Sequence, residues 1–499
     1  MGIIFRQSLK GTIIHSFGLV IGMITTLFIQ AAYLTKAEVG LMKVIYDSAV
    51  LMCSLALLGT TSSAIRFFPF FKNSENKDNG FFFYLLILPA IGVLIFIPLV
   101  FLLKNVIIDF FIERSALYTE YFNWVIPLVL FLMYWTLFET YSNIKMRIVV
   151  PKLIREVGVR ILLLVMYVAY GFKLLTLTQL VTCSISIYAI ALITTFIYIR
   201  KFNGITLKHD YKFIDKELKR KILKYTAFLI LTALSTNILV YLDSFMISSM
   251  KGLDFTGIYV IAGYMASMIE MPTRSITTIS SPIAADALKN NDFKKANDLY
   301  KTVSIHQLVA SSVIFLFIWI NIDNIFAIMP NGNTYVAGKW VVLFLGLGKI
   351  ITSMLNFGGV LISYSRYYYW SLFFSIFILS AGICTNLLLI PKFGITGASL
   401  ATLTTCLLSC SVQQWIVLKK VKGNPYTINT FKQITLIIVL IGINYLLPNW
   451  TANPFFDATY RSIIIGTLTI FCLYKLKISD SINRVIEKSC VEIKNRIKI

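Results

Sequence analysis

The chain has 499 residues, 57% of them hydrophobic and only 14% charged, with a formal net charge of +23 and a mean hydropathy of +0.77. A soluble chain of this length would divide into several domains and carry far more charge, which excludes a water-soluble enzyme or binding protein. The apolar residues gather in long runs, each near the ~20 residues a helix needs to cross the hydrocarbon core, so the chain reads as an all-α integral membrane protein.

The first run covers roughly 11–34. It is too long for the apolar region of a signal peptide and lacks a convincing cleavage site. Arg6 stands where a myristoylation motif beginning at Gly2 requires Ser or Thr. Further spans are predicted at about 42–65, 81–103, 122–140, 156–172 and 178–199. The longest polar connection, RKFNGITLKHDYKFIDKELKRKILK from Arg200 to Lys224, follows. Its Ile214, Leu218 and Ile222 recur at helical spacing among lysines, which predicts a helix on the cytoplasmic interface joining two lobes. A solvated charged linker is the alternative. Six more spans are predicted at about 225–248, 255–281, 302–322, 338–362, 370–390 and 395–418, then a final pair at 433–448 and 461–475. The expected organisation is therefore a six-helix lobe over 1–199, a basic linker over 200–224, a second six-helix lobe over 225–418, and two extra spans with a basic tail over 419–499.

About fourteen spans place both termini on one side. With that side cytoplasmic, roughly three quarters of the 46 Lys and Arg residues fall on it, as the positive-inside rule requires. The basic character thus reports topology and contact with anionic lipids. No concentrated soluble basic domain exists to serve a nucleic-acid partner. The seven cysteines, Cys53, Cys183, Cys384, Cys406, Cys410, Cys472 and Cys490, form no metal-spaced set with the three His residues. They read as small apolar fillers, so no metal and no cofactor is expected.

Two features indicate that the lobes are repeats. AEVGLMKVIY after the first span and DFTGIYVIAGY after the seventh place Gly40 and Gly257 at the same point of their respective lobes. The two glycines are 217 positions apart, the same offset that separates the predicted starts of spans 6 and 12. Repeated bundles are a common transporter plan, because one can rock against the other.

Four stretches carry a family resemblance: AEVGLMKVIYDSAVLMCSLALLGTTSSAIRFFP (Ala37 to Pro69), LVYLDSFMISSM (Leu239 to Met250), DFTGIYVIAGYMASMIEMP (Asp254 to Pro272) and IPKFGITGASLATLTT (Ile390 to Thr405). With the arrangement of six, six and two helices, the chain resembles the polysaccharide-transport (Wzx-like) flippases of the multidrug/oligosaccharidyl-lipid/polysaccharide exporter superfamily. The resemblance covers essentially the whole chain. It implies a V-shaped pair of six-helix lobes in the bacterial inner membrane, alternating access, and a polyprenyl-diphosphate-linked oligosaccharide moved from the cytoplasmic to the outer leaflet. O-antigen or lipopolysaccharide assembly would be the setting. No Arg occurs in the first span, unlike the arginine-lined cavity of the related lipid II flippases, which argues against a peptidoglycan precursor as substrate.

Charges inside the membrane are expensive and mark cavities or partners. Lys349, counted from the outer end of its span, falls near the midplane, where it can attract a diphosphate or an acidic sugar; a buried salt bridge is the alternative. Arg274 is a second candidate for the substrate, but Glu270 lies one turn before it, so a mutual ion pair is the first reading. Pro272 between them predicts a kink and a gate. Arg66, at the cytoplasmic end of span 2, reads as a snorkelling anchor or a headgroup-level receptor for the diphosphate. Asp243 and Asp47 are placed near the outer ends of spans 7 and 2, where either can take a coupling proton or sodium ion, or cap the interface. His15 can titrate near neutrality but is more simply a packing residue, and Glu139 reads as interfacial.

Two other functions compete. A cation-coupled multidrug exporter of the same superfamily would normally stop at twelve spans. A glycan polymerase or ligase needs acids or a metal beside an acceptor loop, and the outer loops are short with no Asp-x-Asp pair. No Gly-x-x-x-x-Gly-Lys-Ser/Thr run appears, so direct ATP drive is not expected.

Overall fold

A computed structural model describes residues 2–71, 77–203, 220, 222, 241–367, 369–448, 453–479, 483–484 and 487. Helices dominate, and no strand occurs among the described residues. Ten helical stretches among them are long and apolar enough to cross a membrane. One of these, Phe373–Val421, runs through a reversal at Gly394 (φ 59°, ψ −134°), a left-handed conformation in which a side chain would be strained. Three further positions lie outside the ten: residues 149–171, which carry four charges, residues 253–289, and residues 241–250. Most of the interfacial helix expected within 200–224, residues 225–240 of the expected seventh span and most of the basic tail lie outside the described residues.

The chain divides into two compact units, one formed by 1–260 with 375–398, the other by 261–374 with 399–499. In the first, helices Lys36–Ala56, Phe81–Ile112, Val125–Ile144 and Leu177–Asn203 enclose a core around Leu41, Val44, Ala49, Val129, Met133 and Val181. A second cluster of Phe67, Phe68, Phe71, Phe81, Phe82 and Tyr141 packs at one end of that bundle. In the second unit, Phe293–Ile320 packs against Lys339–Leu355, Met271–Lys289 and Ile428–Leu446. Helix Lys339–Leu355 ends there at Asn356, and the Leu355 carbonyl accepts hydrogen bonds from Gln413 Nε2 (2.8 Å) and Tyr300 Oη (3.3 Å). Side chains of neighbouring helices thus hold a carbonyl freed by the break, as the absence of water in lipid demands.

Several boundaries differ from expectation for local reasons. The second span starts at Lys36 rather than 42, because Thr35 and Glu38 form a capping box: Thr35 Oγ1 accepts from Glu38 N (3.3 Å) and Thr35 N donates to Glu38 Oε2 (2.8 Å). It stops at Ala56, where Leu58 (φ 46°) and Gly59 (φ 68°) turn the chain before the amphipathic helix Thr60–Phe71. The fifth span begins at Val149, not 156, and passes through a π-helical turn, Ile154–Gly158, into Val159–Gly171. The extra turns place Arg155 and Glu156 inside a continuous helical run rather than in a loop. Near Pro272 the helix Leu253–Ser267 gives way to a 3₁₀ turn, Met268–Glu270, and Pro272 sits in the first turn of the helix that follows. Its missing N–H costs nothing there, since first-turn donors have no intrahelical partner.

The repeat glycines meet. A Cβ built on Gly40 would stand 2.2 Å from the Leu253 carbonyl oxygen, and one on Gly257 would stand 2.1 Å from that of Lys36. Each glycine lets its helix touch the beginning of the other's helix, a reciprocity typical of a two-fold relation. Close approach through small residues is how helices associate without a hydrophobic driving force. Gly257→Ala should therefore destabilise the protein by about 2 kcal/mol, the cost of overpacking a contact that cannot relax. Gly442→Ala, where nothing lies within 4 Å of the added carbon, should be neutral or slightly stabilising. Melting curves of the two purified variants test this; equal midpoints would refute the contact.

Candidate functional site

Two groups of intramembrane charges stand out, one in each unit. The group in the first unit is built where the first, fourth and fifth spans pack together. The π-helical turn at Ile154–Gly158 shifts the register of the fifth span, a feature that often marks functional positions. Arg155 pairs with Glu139 on the fourth span at 2.6 Å, with its guanidinium 4.5 Å from the centre of the Trp135 ring. Glu156 points to the first span and meets His15 Nδ1 at 3.0 Å. Arg160, one turn further, donates to the same carboxylate at 3.0 Å and to the Gly18 carbonyl at 2.5 Å. Gly18 is obligatory for this approach, since a Cβ there would fall 2.5 Å from the Glu156 carbonyl oxygen.

Counted back from Gly171 at ~1.5 Å per residue, Arg160 lies roughly 16 Å from that end of its helix, about half the thickness of a hydrocarbon core. Arg155 lies about one and a half turns further from it. Both arginines are partly exposed while their carboxylates are more buried, with side-chain exposures of 35% against 18% and 28% against 13%. The cationic partner is thus the one presented outward in each pair. Sequence reading missed these arginines because a span begun at 156 assigned them to a loop. A usable signal was present: Glu139 and Glu156 are two acids beside apolar runs, and each needs a basic partner. The first span indeed lacks Arg, yet a cation lies beside it, supplied by the fifth.

In the second unit Lys349, on helix Lys339–Leu355, pairs with Glu270 at 2.5 Å across 79 residues of sequence. Glu270 ends the 3₁₀ turn that precedes Pro272, so the break in the helix sets the direction of the carboxylate. The Glu270 carboxylate is therefore paired with Lys349 on another helix, a partner that the i,i+4 spacing to Arg274 did not indicate. Arg274 stands one turn further along and contributes to the field on the same carboxylate. Lys349 and Glu270 keep 37% and 30% of their side-chain surface. An ammonium so placed can exchange its carboxylate for another anion without first being unburied.

The remaining candidates fall elsewhere. Asp47 is completely buried, and Lys43 Nζ lies 2.5 Å from its Oδ1. Because the helix starts at Lys36, Asp47 sits roughly 16 Å along it, about midway between its ends. Its Oδ2 has no hydrogen-bond partner among the described residues. Asp243 accepts from Tyr259 Oη (2.5 Å) and from Asn386 Nδ2 (2.9 Å), which ties the 241–250 helix to two others of its unit. Arg66 is exposed on the amphipathic helix Thr60–Phe71, whose Phe67, Phe68 and Phe71 are buried. No group of three or more His, Cys, Asp or Glu suited to a metal occurs among the described residues.

Comparison with solved structures places the fold. The chain is similar to the lipid II flippase MurJ in an inward closed conformation, with a TM-score of 0.73 at 13% identity over 94% of this chain and 100% of that one. It is also similar to an inward-facing multidrug resistance MATE family transporter of the MOP superfamily (TM-score 0.56, 14% identity, 82% and 94% covered). A MOP superfamily transporter from Pyrococcus furiosus matches with a TM-score of 0.54 at 13% identity, with 85% and 96% covered. No curated protein matches the sequence. The fold is the one seen in these transporters, and its long apolar helices make the chain a multi-pass membrane protein. Residues 8–288, more than half of the chain, match the family described as polysaccharide biosynthesis protein, and the chain belongs to that family.

Proposed function

We propose that this protein is a flippase that moves a polyprenyl-diphosphate-linked oligosaccharide from the cytoplasmic to the outer leaflet of the bacterial inner membrane. Membership of a polysaccharide biosynthesis family within a transporter fold carries this reading. Glycan assembly on a lipid carrier needs a step that passes a polar headgroup through hydrocarbon, and a chain with this fold supplies a protein route for it. Lys349 and Arg274 in one unit, with Arg66 at the inner headgroup level, attract the diphosphate. Glu270 acts as the counter-ion that substrate displaces, coupling occupancy to movement about Pro272. The bundles alternate access between the two sides. Asp47, Asp243 and His15 are the positions at which a proton or sodium gradient would act.

The test is a reconstituted assay. Proteoliposomes with lipid-linked oligosaccharide in both leaflets are treated with a membrane-impermeant glycosidase. Digestion should proceed beyond the outer-leaflet half only when the protein is present. Digestion that stops at half with active protein, together with uptake of cationic drugs, would favour a multidrug exporter instead.

The topology belongs to the same proposal: fourteen spans with both termini cytoplasmic. Reporter fusions after Asn203 and after Ile499 should read cytoplasmic, and one after Asn449 external. An external C-terminus would overturn the count.

A further inference from the structure

The second unit holds a cavity of about 750 Å³ at the end of the bundle where helices Phe293–Ile320 and Ile428–Leu446 terminate. It lies apart from the Lys349–Glu270 pair. Its walls come from Trp319, the short helix Ile322–Ile328, Lys339, and, in the last hairpin, the end of helix Ile428–Leu446 and the beginning of helix Pro454–Lys475. By the sidedness proposed above this end faces outward.

Arg461 builds the hairpin side of the wall. It is 7% exposed, and its Nε donates to Asp457 Oδ2 at 2.7 Å. Its Nη1 donates to the Asn444 carbonyl (3.1 Å) and to Asn444 Oδ1 (3.0 Å), so it caps carbonyls at the end of the preceding helix. Asn324 Nδ2 reaches the same Asp457 Oδ2 at 2.8 Å. On the opposite side Lys339 Nζ is 2.7 Å from both oxygens of Asp323 and 6.0 Å from the centre of the Trp319 ring. Tyr445 stands at the rim, 72% exposed.

The chemistry of this lining selects a ligand class. Two acids and two bases balance each other in the lining, so the cavity carries no net charge with which to select an anion or a cation. A lipid tail would bury these pairs and amides without satisfying them. A ligand carrying donors and acceptors side by side can share the exposed oxygens of Asp323, the Lys339 ammonium and the Asn324 amide, while presenting a C–H face to the exposed ring of Tyr445; Trp319 is 7% exposed and packs against Phe315 and Lys339. The volume lies within the range of small-molecule sites, which pair aromatic walls with a few polar groups. We propose that this cavity binds a neutral, hydroxyl-rich sugar ring. The inference rests on the sidedness assigned above only for where the sugar comes from, and not on flipping.

Saturation-transfer difference NMR of the purified full-length protein, with glucose, galactose and N-acetylglucosamine as probes, tests it. At least one sugar should receive saturation on its ring protons, and the signal should fall at least fivefold in Asn324→Leu and in Tyr445→Ala. Tyr445 is a rim residue, so its variant stays folded even if Asn324→Leu does not. Absence of transfer to all three sugars, or transfer unchanged in Tyr445→Ala and Lys339→Met, overturns the site. The source of the sugar is read in cells. Slowed glycan export in Tyr445→Ala identifies the lipid-borne glycan, whereas normal export with the NMR signal lost identifies a free sugar. If the wild-type protein binds sugar but moves no lipid-linked glycan, the proposed flipping fails while the site stands.

Discussion

Replacing Lys349 by Ala should lower glycan export at least tenfold while leaving the amount of protein in the membrane unchanged. The reason lies in the geometry of its ion pair. Lys349 and Glu270 are 2.5 Å apart, but each keeps about a third of its side chain exposed. Where water reaches its exposed part, the pair adds about 1 kcal/mol or less to stability, and unchanged membrane abundance is the control that separates lost export from unfolding. Lys349→Arg should be partly tolerated, since it keeps the charge but not the compact shape. Glu270→Gln leaves the ammonium without its counter-ion and should tighten the apparent affinity for lipid-linked substrate while slowing release. The double variant separates a binding role from a structural one. If Lys349 receives the substrate, the double variant is as inactive as Lys349→Ala. Recovery of export in the double variant would show that the pair serves only itself.

The second large effect is expected in the more buried group of the first unit. Glu156 takes Arg160 at 3.0 Å and His15 at 3.0 Å, with only 13% of its side chain exposed. Arg160→Gln removes one of its two partners and frees the Gly18 carbonyl. Removing one partner of a largely buried pair costs about 3 kcal/mol, because the remaining charge is left without compensation. Arg160→Gln should therefore reduce protein abundance in the membrane severalfold and lower the melting temperature. Arg160→Gln combined with Glu156→Gln replaces charges by hydrogen-bonding amides and should restore much of the abundance. If the single variant is as abundant and as heat-stable as the wild type, the pair is not holding the first and fifth spans together. If the double variant folds but exports nothing, the two residues also act on the substrate.

Membrane residence, the helical class and the approximate positions of the spans were legible in the order of residues, because a helix in lipid must satisfy its own backbone over about 20 apolar positions. Gly40 and Gly257, matched by their surroundings in the sequence, lie at one reciprocal contact, and a capping-box pattern of Thr35 and Glu38 was there to be read. Pairing was not. Glu270 has a local basic neighbour in Arg274, and helical spacing alone prefers it, yet the carboxylate turns to Lys349, 79 residues away. The 3₁₀ turn that ends at Glu270 and the packing of two helices decide that direction, and neither is a property of the local sequence. Depth was equally a tertiary matter. Asp47 fell midway along its helix, and Arg155 and Glu156 fell inside a longer helical run, once a cap and a π-helical turn set the helix bounds. A charged turn is tolerated in hydrocarbon only when partners from other helices compensate it. Local hydropathy therefore ended the fifth span early, and only the positions of Glu139 and His15 in space allow it to continue.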